Sequence, residues 1–143
     1  MGSTAEVLSG VWLFAGVDPK LLEKLAAFTF TKQFEPGESI VEEGRTANGL
    51  YIITSGSVEI VKAANTDKQT RLATLGQGEF FGEMGLLEDQ PRTATARAIE
   101  KTACVGIDRW LFLGQLKRDP ELAISMLRAM ARRLAETNAL LVR

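Results

Sequence analysis

The stretch from Gly78 to Ala98, GEFFGEMGLLEDQPRTATARA, sets a carboxylate (Glu83) and a guanidinium (Arg92) near the two ends of a broken, glycine-bearing segment. An arginine presents a planar fork of N–H groups that meets two phosphate oxygens at once. An ionised glutamate only accepts hydrogen bonds, so its natural partner beside a phosphate is a hydroxyl. Gly82 and Gly85 let backbone approach a ligand with no Cβ in the way. Residues 82–87 can form one helical turn whose unpaired N–H groups face the same anion. Thr93 adds a hydroxyl for a phosphate oxygen or a base edge. Taken singly, Arg92 reads as a surface ion-pair former and Glu83 as its partner. Their order and spacing point instead to a small ligand carrying both a phosphate and a hydroxyl.

Other chemistries lack their residues. The chain has no histidine and one cysteine, Cys104, which lies in an apolar run. Metal sites draw mainly on histidine and cysteine, with carboxylates in support, and a cysteine nucleophile needs a base to activate it. The expectation is therefore no enzyme, no metal and no cofactor, with Cys104 in the core. A lone cysteine also makes no internal disulfide and implies no oxidising compartment.

Composition sets the frame for the site. The 143 residues suit one domain, 1–143, with a sizeable core. Hydrophobic residues at 45% and charged residues at 24% are ordinary for a globular protein and too apolar for disorder. Lys plus Arg number 17 against 18 Asp plus Glu, a net charge of −1 that carries no electrostatic footprint for nucleic acid. No apolar run reaches the roughly 20 residues of a membrane span. The N-terminus lacks the basic start and cleavage site of a signal peptide. A cytoplasmic location is expected.

Three groups of elements must hold the segment in place. Residues of about 4–27 read as two helical pieces. Ser3 or Thr4 can cap the first, and Asp18-Pro19 supplies a cap and a first-turn proline for the second. Leu21, Leu22, Leu25 and Phe28 recur at helical spacing, and Trp12 reads as core packing. Residues of about 28–108 carry eight short strands with frequent turns, Ser55-Gly56 reading as a hairpin between residues 50–54 and 57–63. That pattern predicts a mainly β fold, an antiparallel sandwich or jelly roll. Residues of about 109–143 return to helix, first from Arg109 to near Lys117, then a long one from Asp119-Pro120 with Asp119 as cap. On the long helix Leu127, Met130, Leu134, Thr137 and Leu141 step by three and four, the seam of a coiled coil. A homodimer through this helix is expected, with Arg128, Arg132, Arg133 and Glu136 on solvated faces.

FGEMGLLEDQPRTATARA closely resembles the phosphate-binding cassette of cyclic nucleotide-binding domains, written FGE-x-x-L, a short insert, then R-[TAS]-A-[TS]-V-x-A. FEPGESIVEEG and NGLYIITSGSVEI resemble that family's early strands, with Gly37, Gly44 and Gly56 at its turns, so the likeness covers about residues 20–143. It implies an eight-stranded β-roll between helices and a regulatory module that binds cAMP, with cGMP the alternative. It also implies Glu83 on the ribose 2′-hydroxyl with Gly82 beside it, and Arg92 on the cyclic phosphate. Met84, Gly85 and Leu86 fall where cassette backbone meets phosphate oxygens, and Thr93 where the family has Ala, Ser or Thr. ARRLAETN, residues 131–138, resembles the matching helix of bacterial catabolite activator (Crp/Fnr-type) proteins. There a Thr-Ser pair touches adenine, one residue from each subunit; here the pair is Thr137 and Asn138. Those activators continue into a helix-turn-helix DNA-binding domain, whereas this sequence ends at Arg143, a stand-alone sensor or one domain of a longer protein. A roll that has lost its ligand and acts in protein interaction remains the other reading, although Glu83 and Arg92 are both present.

Overall fold

A computed structural model describes residues 3–141. Helix α1 spans Thr4–Ser9, a 3-10 turn follows at Trp12–Phe14, and α2 spans Pro19–Ala26. Both helices start where their caps predict. Ser3 Oγ accepts from the Glu6 N–H at 3.2 Å, and Asp18 Oδ1 accepts from the Lys20 N–H at 2.8 Å, with Pro19 in the first turn.

Eight strands follow: β1 Thr29–Phe34, β2 Ser39–Val41, β3 Gly49–Ser55, β4 Val58–Lys62, β5 Thr70–Leu75, β6 Phe80–Phe81, β7 Thr95–Ala98 and β8 Thr102–Asp108. Every pairing is antiparallel, and the strands form two four-stranded sheets, β1-β8-β3-β6 and β2-β7-β4-β5. The mainly β fold with flanking helices is thus as expected. The β3–β4 hairpin is not. These strands lie in different sheets, and the Ser55-Gly56 turn carries the chain from one to the other. Gly56 has φ +93°, and a Cβ there would meet the Lys101 carbonyl and Thr102 at about 2.5 Å. Its glycine serves close packing against the β7–β8 turn.

Alternation along β3 divides the interior in two. Leu50 and Ile52 point to the helices, joining Leu8, Phe14, Leu25, Leu86, Ile107, Phe112 and Leu122. Tyr51 and Ile53 point to the second sheet, with Phe34, Val58, Phe81, Ala96 and Cys104. Cys104 is core as expected, and burial pushes its thiol up to about 11. From β1, Phe34 is buried, while Phe30 is 41% exposed and lies over Gly106.

Helix α3 spans Arg109–Arg118, capped by Asp108 Oδ2 accepting from the Leu111 N–H at 3.1 Å. Its last turn carries Lys117 and Arg118, which suit the negative end of the helix. Helix α4 is described over Pro120–Leu141. Asp119 does not cap it by side chain: its carboxylate accepts from Gln115 Nε2 and pairs with Lys24 at 3.8 Å.

The seam on α4 is also reassigned. Met130 packs on the helix-side core near Met126, whereas Ile124, Leu127, Leu134 and Leu141 are 46%, 64%, 62% and 77% exposed. The unpartnered stripe therefore runs 124, 127, 131, 134, 138, 141, with Asn138 in it and Thr137 beside it. Arg133 is exposed as expected, but it also stacks. Its guanidinium lies 4.9 Å from the Trp12 ring centroid, which ties α4 to the first 3-10 turn. Among the described residues no helix is long and apolar enough to cross a membrane.

Candidate functional site

The Gly78–Ala98 segment breaks as its residues require. Gly78 turns with φ +86°, β6 pairs Phe81 with Tyr51 of β3, and Gly82 turns again with φ +82°. A 3-10 turn then spans Glu83–Leu86, closed by the Gly85 N–H on the Gly82 carbonyl at 2.9 Å. The N–H groups of Glu83 and Met84 open this turn and donate to no backbone acceptor among the described residues. Leu86 is fully buried in the helix-side core, so the turn is pinned by its last side chain.

Arg92 closes the segment. It is only 8% exposed, and its guanidinium makes one hydrogen bond, Nη2 to the Gly49 carbonyl at 2.9 Å. Among the described residues no carboxylate stands within 4.0 Å of it, Glu83 included. Burial pulls its pKa below the ordinary value, with Tyr51 opposing. A buried cation without an anion is costly, since desolvation of a charge is several kcal/mol unless a counter-charge offsets it. The chemistry missing from the fold is therefore that of an anion.

Small residues make the space for this guanidinium. A Cβ on Gly82 would collide with Arg92 Nη1, and one on Gly85 would stand 3.4 Å from the same atom. Tyr51 stacks on Phe81 with centroids 5.6 Å apart and meets Phe30 edge-on at 6.0 Å, forming a row of three aromatic rings. Burial raises the Tyr51 pKa, and the nearby Arg92 charge works against that rise.

Around Arg92 an open cleft of about 450 Å³ is lined by Ala47, Gly82, Glu83, Met84, Gln90 and Thr93, among others. A second hollow beside it is lined by Val41, Ile60, Gly82, Thr93 and Ala94. The Glu83 carboxylate makes no hydrogen bond or ion pair among the described residues, leaving its acceptors available. Met84 is 58% exposed on the rim.

Of the expected site residues, Gly82, Glu83, Met84, Gly85, Arg92 and Thr93 come together on this cleft. Leu86 is not in that lining, and its side chain is core. Thr137 and Asn138 stand apart, exposed on the last turns of α4 and absent from the lining of both hollows. Thr137 Oγ1 donates to the Arg133 carbonyl of its own helix at 3.0 Å.

The supporting contacts leave no signal in the local sequence. Arg109 is 4% exposed, and its Nη1 donates to the Ala47 and Glu88 carbonyls at 2.5 and 3.2 Å. It thus ties Ala47, which lines the cleft, and Glu88, which follows the 83–86 turn, to the start of α3. Nothing in IDRW marks that arginine as structural. Gly49 likewise gave no signal, although a Cβ there would run into the Ile107 carbonyl of β8 while its own carbonyl holds Arg92. Among the described residues no group of three or more His, Cys, Asp or Glu is placed to hold a metal ion.

The geometry has a counterpart among known proteins. A family model described as the cyclic nucleotide-binding domain matches residues 31–119. A CRP-like cAMP-activated global transcriptional regulator of Mycobacterium tuberculosis is 33% identical over 138 residues, covering 93% of this chain and 59% of the regulator. The chain thus spans about three-fifths of that relative's length. A cGMP-dependent protein kinase of Eimeria tenella is 44% identical over 89 residues, 60% of this chain and 8% of the kinase. Among solved structures, the N-terminal domain of a transcriptional regulator from Streptomyces coelicolor A3(2) superposes with a TM-score of 0.86 at 31% identity. Its match covers 96% of each chain.

Proposed function

The chain belongs to the cyclic nucleotide-binding domain family, and on that premise we propose that it is a sensor module whose ligand is a cyclic mononucleotide, cAMP in preference to cGMP. The observation that carries this reading is the buried Arg92 guanidinium, held by one carbonyl and matched by no carboxylate. A singly charged cyclic phosphate supplies the missing anion. In this reading Arg92 forks onto two phosphate oxygens, and the free N–H groups at the start of the 83–86 turn point at the same group. Backbone at Met84, Gly85 and Leu86 lines the phosphate, and Thr93 adds its hydroxyl. Glu83 accepts the ribose 2′-hydroxyl, with Gly82 leaving room beside it. The ligand is the working partner, and no catalytic step is assigned to any residue.

Sugar and phosphate are common to cAMP and cGMP, so the base is read elsewhere. We assign that reading to α4, through Thr137 and Asn138, in a homodimer formed along Ile124, Leu127, Leu134 and Leu141. Four large apolar side chains exposed on one stripe of a 22-residue helix support a second copy as the covering partner. The ligand shifts the helix only by binding one position of it more tightly than another. The cAMP preference is supported by the likeness to the cAMP-activated regulator of Mycobacterium tuberculosis. A cGMP preference is favoured by the hydroxyl of Thr93 and by the kinase relative. We assign no nucleic-acid contact to this stretch, given its charge of −1.

Calorimetry with cAMP, cGMP and cyclic dinucleotides, run beside light scattering, tests the whole reading. Tight binding of cAMP to a dimer is expected, with Leu134→Glu giving monomers. Binding of none of these ligands would overturn the assignment and leave the roll as an interaction domain.

A further inference from the structure

One cation near the cleft has no place in the roles above. Lys62, the last residue of β4, has a side chain 51% exposed. Its Nζ donates to the Thr93 carbonyl at 2.5 Å and stands 3.4 Å from Glu43 Oε2. Glu43 is itself fixed. Its Oε1 accepts from the Ala63 N–H at 2.9 Å, and its own N–H donates to Thr95 Oγ1 at 3.0 Å. Ala63 has φ +55°, a left-handed conformation that a non-glycine residue adopts at a cost, and that turn delivers its N–H to Glu43. The next carbonyl along is held too, since the Gly44 N–H donates to the Arg92 carbonyl at 2.8 Å.

Two consecutive carbonyls, of Arg92 and Thr93, are therefore fastened, the first to the Gly44 N–H and the second to Lys62. A trans peptide is planar, with its C=O and N–H pointing opposite ways. A Thr93 carbonyl drawn to Lys62 aims the Ala94 N–H away from it. Ala94 lines the hollow beside Arg92, whereas Lys62 does not. The Ala94 N–H donates to no backbone or side-chain acceptor among the described residues.

We propose that Lys62 is a positioning residue for the phosphate-binding arm, holding the Thr93 carbonyl so that the Ala94 N–H faces the ligand's phosphate beside Arg92, with Glu43 steadying the lysine. This rests on the cyclic-nucleotide reading above. The ammonium also polarises the peptide it holds, which strengthens the N–H at the far end. The competing account is an ordinary surface ion pair, which contributes little. A further rival is plain attraction between the lysine charge and the phosphate. These accounts differ in sign. Under plain attraction, Glu43→Gln removes a nearby negative charge and tightens binding. Under positioning, the same change loosens Lys62 and weakens binding.

Calorimetry with cAMP and its two phosphorothioate diastereomers, on wild type, Lys62→Met, Lys62→Arg and Glu43→Gln, decides the matter, with a melting curve for each protein. Each diastereomer replaces one exocyclic phosphate oxygen by sulfur, so their affinity ratio reports which oxygen meets the Ala94 N–H. Lys62→Met is expected to weaken cAMP about fivefold, a surface-exposed charge-assisted bond being worth about 1 kcal/mol. It should also narrow the ratio between diastereomers. Glu43→Gln should weaken cAMP about twofold by the same reasoning, and Lys62→Arg should restore both affinity and ratio. An unchanged ratio in Lys62→Met, whatever its melting temperature, overturns the proposal, as does tighter binding by Glu43→Gln. Failure of the wild-type chain to bind any cyclic mononucleotide overturns the parent reading, and this one with it.

Discussion

Replacing Arg92 by methionine separates a ligand-binding arginine from a structural one, because the two predict opposite things for the empty protein. Methionine keeps an unbranched apolar stem in the space beside Gly82 and removes the charge. In the empty protein the change loses one bond to the Gly49 carbonyl, worth about 1 kcal/mol. It also relieves the desolvation of a side chain only 8% exposed and facing no carboxylate, a cost of several kcal/mol for an unpaired ion. The ligand-free melting temperature should therefore stay level or rise.

In the complex the loss is larger. Two charge-assisted bonds from a buried guanidinium to phosphate, after offsetting the relieved desolvation, leave about 2–4 kcal/mol. At about 1.4 kcal/mol per decade, affinity falls about 30- to 700-fold. Calorimetry reads this directly, and melting curves read it again. With cAMP at about 100 times the wild-type Kd, the wild-type fold gains about 2.7 kcal/mol, or about 8–10 °C for a chain of this size. A variant binding about 100-fold more weakly gains about 0.4 kcal/mol at the same concentration, a shift near 1 °C. A steep drop in the ligand-free melting temperature with the cAMP-induced shift intact would refute the reasoning and make Arg92 a structural residue.

The remaining predictions concern its neighbours. Gly82→Ala places a methyl against Arg92 Nη1 at φ +82°, so it should cost about 1 kcal/mol of stability and weaken cAMP at least about tenfold through the displaced guanidinium. Denaturant melts and calorimetry measure the two effects apart. Glu83→Ala should reduce cAMP affinity while leaving 2′-deoxy-cAMP affinity where it was, so that the wild-type preference for the ribose form disappears in a competition assay. The carboxyl of Glu59 is held below the ordinary carboxylate value, first by its hydrogen bond from Arg97 and then by Arg71. A depressed folded pKa stabilises the fold fully above the unfolded value near about 4.3 and loses that effect as pH falls through the folded value. Glu59→Gln should accordingly be less stable than wild type at neutral pH and converge with it in acid, as pH-dependent urea melts would show.

The sequence carried the local grammar of the fold and left its long-range pairings open. Asp18-Pro19, the eight strand runs and the helix after Asp119 are signals written within a few residues, and the elements stand close to where those signals put them. Ser55-Gly56 is equally a turn, but a turn does not name its partners. Adjacent strands usually pair, so its residues suggest a hairpin, and the close approach of Thr102 that makes Gly56 necessary comes from 46 residues away in the chain. Asp119 suggests a cap by its place before Pro120, yet Lys24 of α2, distant in sequence, shares its carboxylate. On α4 two stripes share Leu127, Leu134 and Leu141, so periodicity alone could not separate them. Only the packing of Met130 on the core turns Asn138 into the open stripe. The cleft shows the same division. Glu83, Gly82 and Arg92 announced themselves by order and spacing, whereas Gly49, Lys62 and Arg109 act through carbonyls that no local pattern reveals.

The stack of Arg133 on Trp12 has a practical consequence. The chain has two tryptophans, and each lies under a guanidinium: Trp12 under Arg133 at 4.9 Å and Trp110 under Arg109 at 5.2 Å. Trp110 is 69% exposed beside the arginine that holds the Ala47 carbonyl at the cleft, while Trp12 is partly buried where α4 crosses the first 3-10 turn. The protein thus carries two intrinsic fluorophores in different surroundings, one beside Arg109 and one where the long helix is seated. Trp110→Phe leaves an emission that follows the seating of α4 alone, and Trp12→Phe leaves one that follows the cleft. Rapid-mixing fluorescence of the two single-tryptophan proteins would time the two separately, with no dye attached and no residue of the cleft lining replaced.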